Sequence, residues 1–157
     1  MNDAHVRQQL VNMLVRRQAH LLFDDAVKDF PEAHYNTKPT NVVYSFWGLL
    51  EHIRITQWDI LDYIQNPNYQ HRQHPDGYWQ PHDAVTDADG WQNTINQFHS
   101  DLNALIAIVN DPQTDLYAQI PHAQQGHTIL REIDIIATHN AYHIGEFGIL
   151  RGVMDLW

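Results

Sequence analysis

Apolar residues of this chain recur three and four positions apart in four separate stretches, and most of the connections between them carry proline. That spacing puts the apolar side chains on one face of an α-helix, and a helix with one apolar face must bury it against other helices. The first stretch, 4–29, carries Val6, Leu10, Met13, Leu14, Leu21 and Leu22. Pro31 and Pro39 break the pattern, so 30–41 reads as a connection. The second stretch, 42–65, is stopped by Asn66-Pro67. The third starts from Asp87 or Asp89 as N-cap, passes through Trp91, Ile95, Phe98, Leu102, Leu105 and Val109, and closes at Asp111-Pro112. The fourth runs from about His127 to Arg151, with Thr128 as its N-cap.

Four helices of roughly 20–26 residues, with no hairpin chemistry and no internal repeat, are the inventory of an all-α four-helix bundle. The irregular stretches at 66–86 and 113–126 exceed the roughly 2–8 residues that join neighbouring helices of a simple bundle. They either cross the ends of the bundle or cover a site. The 157 residues fit one domain spanning 1–157.

Composition narrows the function. There is no cysteine, which removes disulfides, thiolate metal ligands and a cysteine nucleophile. Nine Lys and Arg against nineteen Asp and Glu give a net charge of −10. A nucleic-acid binder needs a basic stripe to displace phosphate counterions, so neither nucleic acid nor an anionic membrane surface is an expected partner. No apolar run approaches the ~20 residues of a membrane span, and the first 18 residues lack a signal-peptide core. A cytoplasmic location is expected.

Twelve histidines stand out. His139 and His143 lie four apart in the fourth helix, so their side chains point the same way, a spacing that suits one metal ion held by two imidazoles. Their side of the helix also carries Glu132, Ile135, Ile136, Glu146 and Leu150. On the second helix, His52 shares a line with Ser45, Gly48, Thr56, Asp59 and Tyr63, bordered by Leu49 and Ile55. Polar groups inside an apolar surround are costly unless they find partners. If these two helices are neighbours, His52, His139 and His143 supply three nitrogen ligands and leave positions open for water or substrate. Other metal and catalytic architectures fail on the residues. The chain has four Glu and no E-x-x-H pair, and it lacks H-E-x-x-H, a P-loop, G-x-G-x-x-G and G-x-S-x-G.

Three segments, WGLLEHIRITQWDIL (47–61), PDGYW (75–79) and HTILREIDIIATHNAYHIGEFGILR (127–151), resemble the DinB-like superfamily of bacterial damage-inducible and related proteins, and HLLFDDAVKDFP (20–31) resembles the first helix of one of its branches. The resemblance covers nearly the whole chain in order. It implies a four-helix bundle with crossover connections and a metal triad falling on His52, His139 and His143. It also implies a divalent ion such as Zn, Ni, Fe or Mn, and a homodimer. Relatives include transferases and isomerases that use a low-molecular-weight thiol cosubstrate, and metal-dependent hydrolases. The resemblance therefore implies either a metal-dependent enzyme acting on a small molecule or a non-catalytic metal-bound bundle of the stress response.

Other residues have two readings each. Glu146, one turn beyond His143, is a candidate fourth ligand or general base, with a hydrogen-bond partner of a ligand histidine as the alternative. Asp59 is either such a partner for His52 or a surface carboxylate. Tyr78 and Trp79 read as aromatic tacks for their loop, with an apolar lid over the site as the alternative. Tyr142 turns away from the pair by ~100° and reads as packing. Surface positions are expected for His71, His74 and His82, and loop positions at the mouth or in solvent for His122 and His127.

Overall fold

The computed structural model describes residues 3–157. Five helices form it: α1 (Ala4–Val15), α2 (Phe23–Val27), α3 (Phe46–Gln65), α4 (Ala88–Asn110) and α5 (Ile129–Val153). Single 3-10 turns lie at Glu32–His34 and Asp76–Tyr78, and among the described residues the β-structure is one isolated bridge between Gln119 and Thr128.

The long helices begin where a side chain satisfies a free backbone N–H. Ser45 accepts from Gly48, Asp87 from Gly90 and Thr128 from Arg131. Each cap is worth about 1 kcal/mol. Asp87 and Thr128 hold the expected places. Ser45 moves the start of the second helix from the expected 42 to Phe46.

The expectation of one continuous helix over 4–29 is overturned. α1 ends at Val15, Arg16 is extended (φ −106°, ψ 142°), and helix resumes only at Phe23. No glycine or proline lies in the gap, so packing rather than propensity breaks it. In a straight helix Phe23 would face about 220° away from Leu10, yet both are buried. The break lets Phe23 stack on Phe98, with ring centroids 3.7 Å apart. Arg151 of α5 then takes the carbonyls of Ala26 (2.9 Å) and Lys28 (2.7 Å), where the dipole of the short helix favours a cation.

α3 packs on both α4 and α5, and α1 packs on the other side of the same two helices. Thus α1 and α3 sit on one diagonal of the bundle and α4 and α5 on the other. The connections 16–45 and 111–128 must therefore cross the bundle, which explains their length. Arg7 ties the second crossing down by donating to the carbonyls of Val109, Asp111 and Thr114 at 2.7, 2.9 and 2.6 Å.

Two apolar clusters fill the interior. One gathers Phe23, Phe30, Phe46, Leu49, Ile53, Trp91, Phe98 and Phe147; the other gathers Leu10, Ile60, Ile64, Leu105, Val109, Leu116, Ile133 and Ile136. Between them runs a band of polar residues. In it, Gln57 donates to the carbonyl of Phe98 (2.9 Å) and accepts from Asn140 (3.0 Å), joining α3, α4 and α5.

Candidate metal centre

His52 comes from the first half of α3, and His139 and His143 from the middle of α5. Because α3 and α5 are neighbours, the i, i+4 pair on one helix meets the single histidine on the other. The Nε2 atom of His52 lies 3.2 Å from Nε2 of His143 and 3.2 Å from Nε2 of His139. The three candidate ligand atoms all lie within 4.8 Å of one another. The sequence-expected triad is therefore brought together in space.

The far side of each ring shows which nitrogen faces inward. Nδ1 of His52 lies 2.9 Å from the backbone carbonyl of Tyr78, which can only accept, so Nδ1 carries the proton and Nε2 presents its lone pair. Nδ1 of His143 lies 2.7 Å from Oε2 of Glu146, so the same holds there. Glu146 is in turn held by the Tyr44 hydroxyl, which donates to Oε1. With both imidazoles neutral, two lone pairs then face each other at 3.2 Å. His139 has one proton to offer, and its buried Nδ1 has no hydrogen-bond partner among the described residues. Repelling acceptors packed together are what a cation relieves, and three neutral imidazoles are a donor set that suits it. The residues present fit a divalent transition metal.

Electrostatics favours the neutral form of His139 and of His52. Burial pushes His139 down to about 4, helped by repulsion from His143 and His52. Burial also lowers His52, against the opposing effect of its bond to Tyr78.

The loop after α3 is part of the site. Trp79 stacks flat on His52, centroids 3.9 Å apart at 2°, and Tyr44 stacks on Trp79 at 4.8 Å. Tyr78 both bonds His52 through its carbonyl and donates its hydroxyl to Asp59 at 2.8 Å. The loop is thus tacked down and also covers His52. Asp59 is buried and, among the described residues, is hydrogen-bonded to tyrosines rather than to a histidine. It accepts from Tyr69 (3.0 Å) and Tyr78 and pairs with Arg72 (3.5 Å), which anchors the loop. A cavity of about 360 Å³ opens on the triad, bordered by Thr56, His74, Pro75 and Trp79.

The remaining histidines fall elsewhere. His122 and His127 bracket Tyr63, at 2.7 Å from its carbonyl and 2.9 Å from its hydroxyl. His71 and His82 are exposed, and His74, also exposed, lies at the rim of the cavity. Tyr142 is 70 % exposed, turned away from the site. Sequence reasoning missed Tyr44, and it did not single out the Tyr78 carbonyl. No local periodicity links these loop positions to histidines on α3 and α5.

Fold and site together define an all-helical bundle with an inward-facing three-histidine cluster that opens on a cavity. The family model of the DinB superfamily matches residues 17–147, and the chain belongs to that superfamily. Searches of curated proteins and of solved structures return no significant match.

Proposed function

We propose that His52, His139 and His143 hold one divalent transition-metal ion, Zn, Ni, Fe or Mn, and that the protein is a metal-dependent enzyme acting on a small molecule. The observation that carries the reading is the convergence of Nε2 lone pairs whose opposite nitrogens are engaged by Tyr78 and Glu146. Three protein ligands beside an open cavity leave room for a substrate, as a purely structural four-ligand site does not. Bound there, such an ion acidifies a water or a thiol and polarises an electrophile, which serves hydrolysis and thiol-dependent transfer alike. Membership of the superfamily supports a metal-dependent reading, either thiol-dependent transfer with a low-molecular-weight thiol as cosubstrate or hydrolysis.

The chain's own residues have distinct parts. Glu146 keeps the proton on Nδ1 of His143 and raises the basicity of its inward nitrogen, which makes it a positioning residue. Tyr44 holds Glu146 in place. Trp79 shields one face of His52 from water.

The test is elemental analysis of untagged protein, wild type against His139→Ala/His143→Ala. The expected result is about one equivalent of metal in wild type and none in the variant. Wild type that stays empty after exposure to Zn, Ni, Mn and Fe(II) would overturn the reading. A homodimer is part of the same proposal, supported by the exposed apolar line Tyr142, Ile149 and Val153 on α5. Light scattering should then give twice the 18.4 kDa of one chain.

A further inference from the structure

A second and larger cavity, about 670 Å³, lies beside the histidine cavity, and Pro75 and Trp79 belong to the walls of both. Its size falls within the roughly 300–1,000 Å³ typical of small-molecule sites. The polar side chains around it are largely committed elsewhere. Ser45 Oγ caps α3, the Tyr44 hydroxyl serves Glu146, and Gln80 donates to Glu51 at 2.7 Å. His82 is engaged by Lys38 at 3.0 Å, which leaves Asp76, exposed at the edge. What remains for a ligand is carbon: Val43, the rings of Tyr44 and Trp79, Pro75, Pro81 and Ala84. Gly48 contributes bare backbone to the wall. A charged or strongly hydrogen-bonding body entering here would lose water without gaining partners, whereas an apolar one gains by burial.

We infer that this cavity is the substrate's apolar subsite, so that the substrate is an uncharged hydrophobic body, such as a fused aromatic ring system, carrying a metal-ligating head that reaches the three histidines around the Trp79 edge. This rests on the metal reading above and names the substrate class for it. The cavity is also coupled physically to the ligands. Trp79 stacks on His52, and Tyr44 reaches His143 through Glu146, so a body filling the cavity presses on groups that orient two of the three rings.

Two hydroxamates separate body from head. On Zn-loaded protein, 2-naphthohydroxamic acid should bind at least about tenfold more tightly than acetohydroxamic acid, the gain coming from apolar burial. In Gly48→Leu the new side chain starts from a Cβ with ordinary contacts, 3.4 Å to Ser45 Oγ and 3.5 Å to Tyr44 Cβ, and fills the cavity. In Val43→Asp a charge is placed on the apolar wall at a position 70 % exposed, where folding tolerates it. Both variants should bring the ratio close to one, and Val43→Asp, which leaves the cavity unfilled, should leave acetohydroxamate affinity unchanged. A ratio near one in wild type, or one that neither variant lowers, overturns the inference. Naphthalene alone, titrated into metal-free protein, keeps the two proposals distinguishable. Its binding to wild type and loss in Val43→Asp supports the subsite even if the metal reading fails, and its failure to bind wild type overturns the subsite even if metal is held.

Discussion

Glu51 and His52 are consecutive residues of α3, both buried, and they enter two opposite kinds of polar cluster. Around Glu51 the accounts close. Its carboxylate accepts from Nε and a terminal nitrogen of Arg54 at 2.8 Å each, from Gln80 at 2.7 Å and from the Thr94 hydroxyl at 2.8 Å. Donors face acceptors, and the cluster joins α3, α4 and the loop after α3. Around His52 the acceptor nitrogens of neutral His52 and His143 face each other, and among the described residues His139 Nδ1 has no hydrogen-bond partner. A buried polar group is ordinarily satisfied. A satisfied cluster builds the fold, while one that is short of a positive charge marks a place where something else is meant to bind.

The contrast can be broken most directly by exchanging the lesions. His139→Ala/His143→Ala should abolish metal binding while thermal stability of the metal-free protein changes little; elemental analysis and calorimetry on the same samples check both halves. Glu51→Ala should do the reverse, keeping about one equivalent of metal and losing roughly 2–4 kcal/mol of stability in denaturant titration, because Arg54 and Thr94 are left facing an apolar gap. Metal loss in Glu51→Ala would show that the two clusters are one.

A smaller effect is expected one step behind the ligands. Glu146→Gln removes the charge behind His143, and metal affinity measured by chelator competition should fall about 10–100-fold without loss of fold. Tyr44→Phe, one step further out, should weaken it by less than Glu146→Gln does. An equal effect would place Tyr44 nearer the metal than the hydrogen bonds do.

Acid titration of the metal-free protein should separate the clusters by pH. His139 is held near 4 by burial and its histidine neighbours, below its ordinary 6.5, so the unfolded chain binds the proton more readily. Stability should therefore begin to fall as pH drops below about 6.5 and go on falling towards about 4. Burial raises the Glu51 carboxyl, but its bonds to Arg54, Thr94 and Gln80 outweigh this and hold it below the usual 4.5. Its contribution is fully present above that value and is lost only as pH falls further, through its folded-state pKa. Chemical denaturation midpoints between pH 7 and 3 should show the first loss vanish in His139→Ala and the second vanish in Glu51→Gln.

The four apolar stretches, the cap Thr128, Asp87 as one of two candidate caps, and the pair His139 and His143 were legible from residue order, because helical periodicity and i, i+4 spacing are local, whereas His52 joined the pair only through the family resemblance and on condition that α3 and α5 are neighbours. Three features were not legible. The first helix breaks because Phe23 and Leu10 cannot both reach the core from one straight helix, a constraint visible only once Phe98 is in place. Trp79 lies over His52 because Asp59 anchors Tyr78 beside it. The inward nitrogen of His52 and of His143 is chosen by the Tyr78 carbonyl and by Glu146, which is itself held by Tyr44, 102 positions away in sequence. Sequence by itself thus determined which residue types share a helix face. Tertiary structure decided which atom of each faces the centre, because a histidine's tautomer follows from the partner on its far nitrogen, and for His52 that partner sits on a loop whose path depends on contacts distant in the chain.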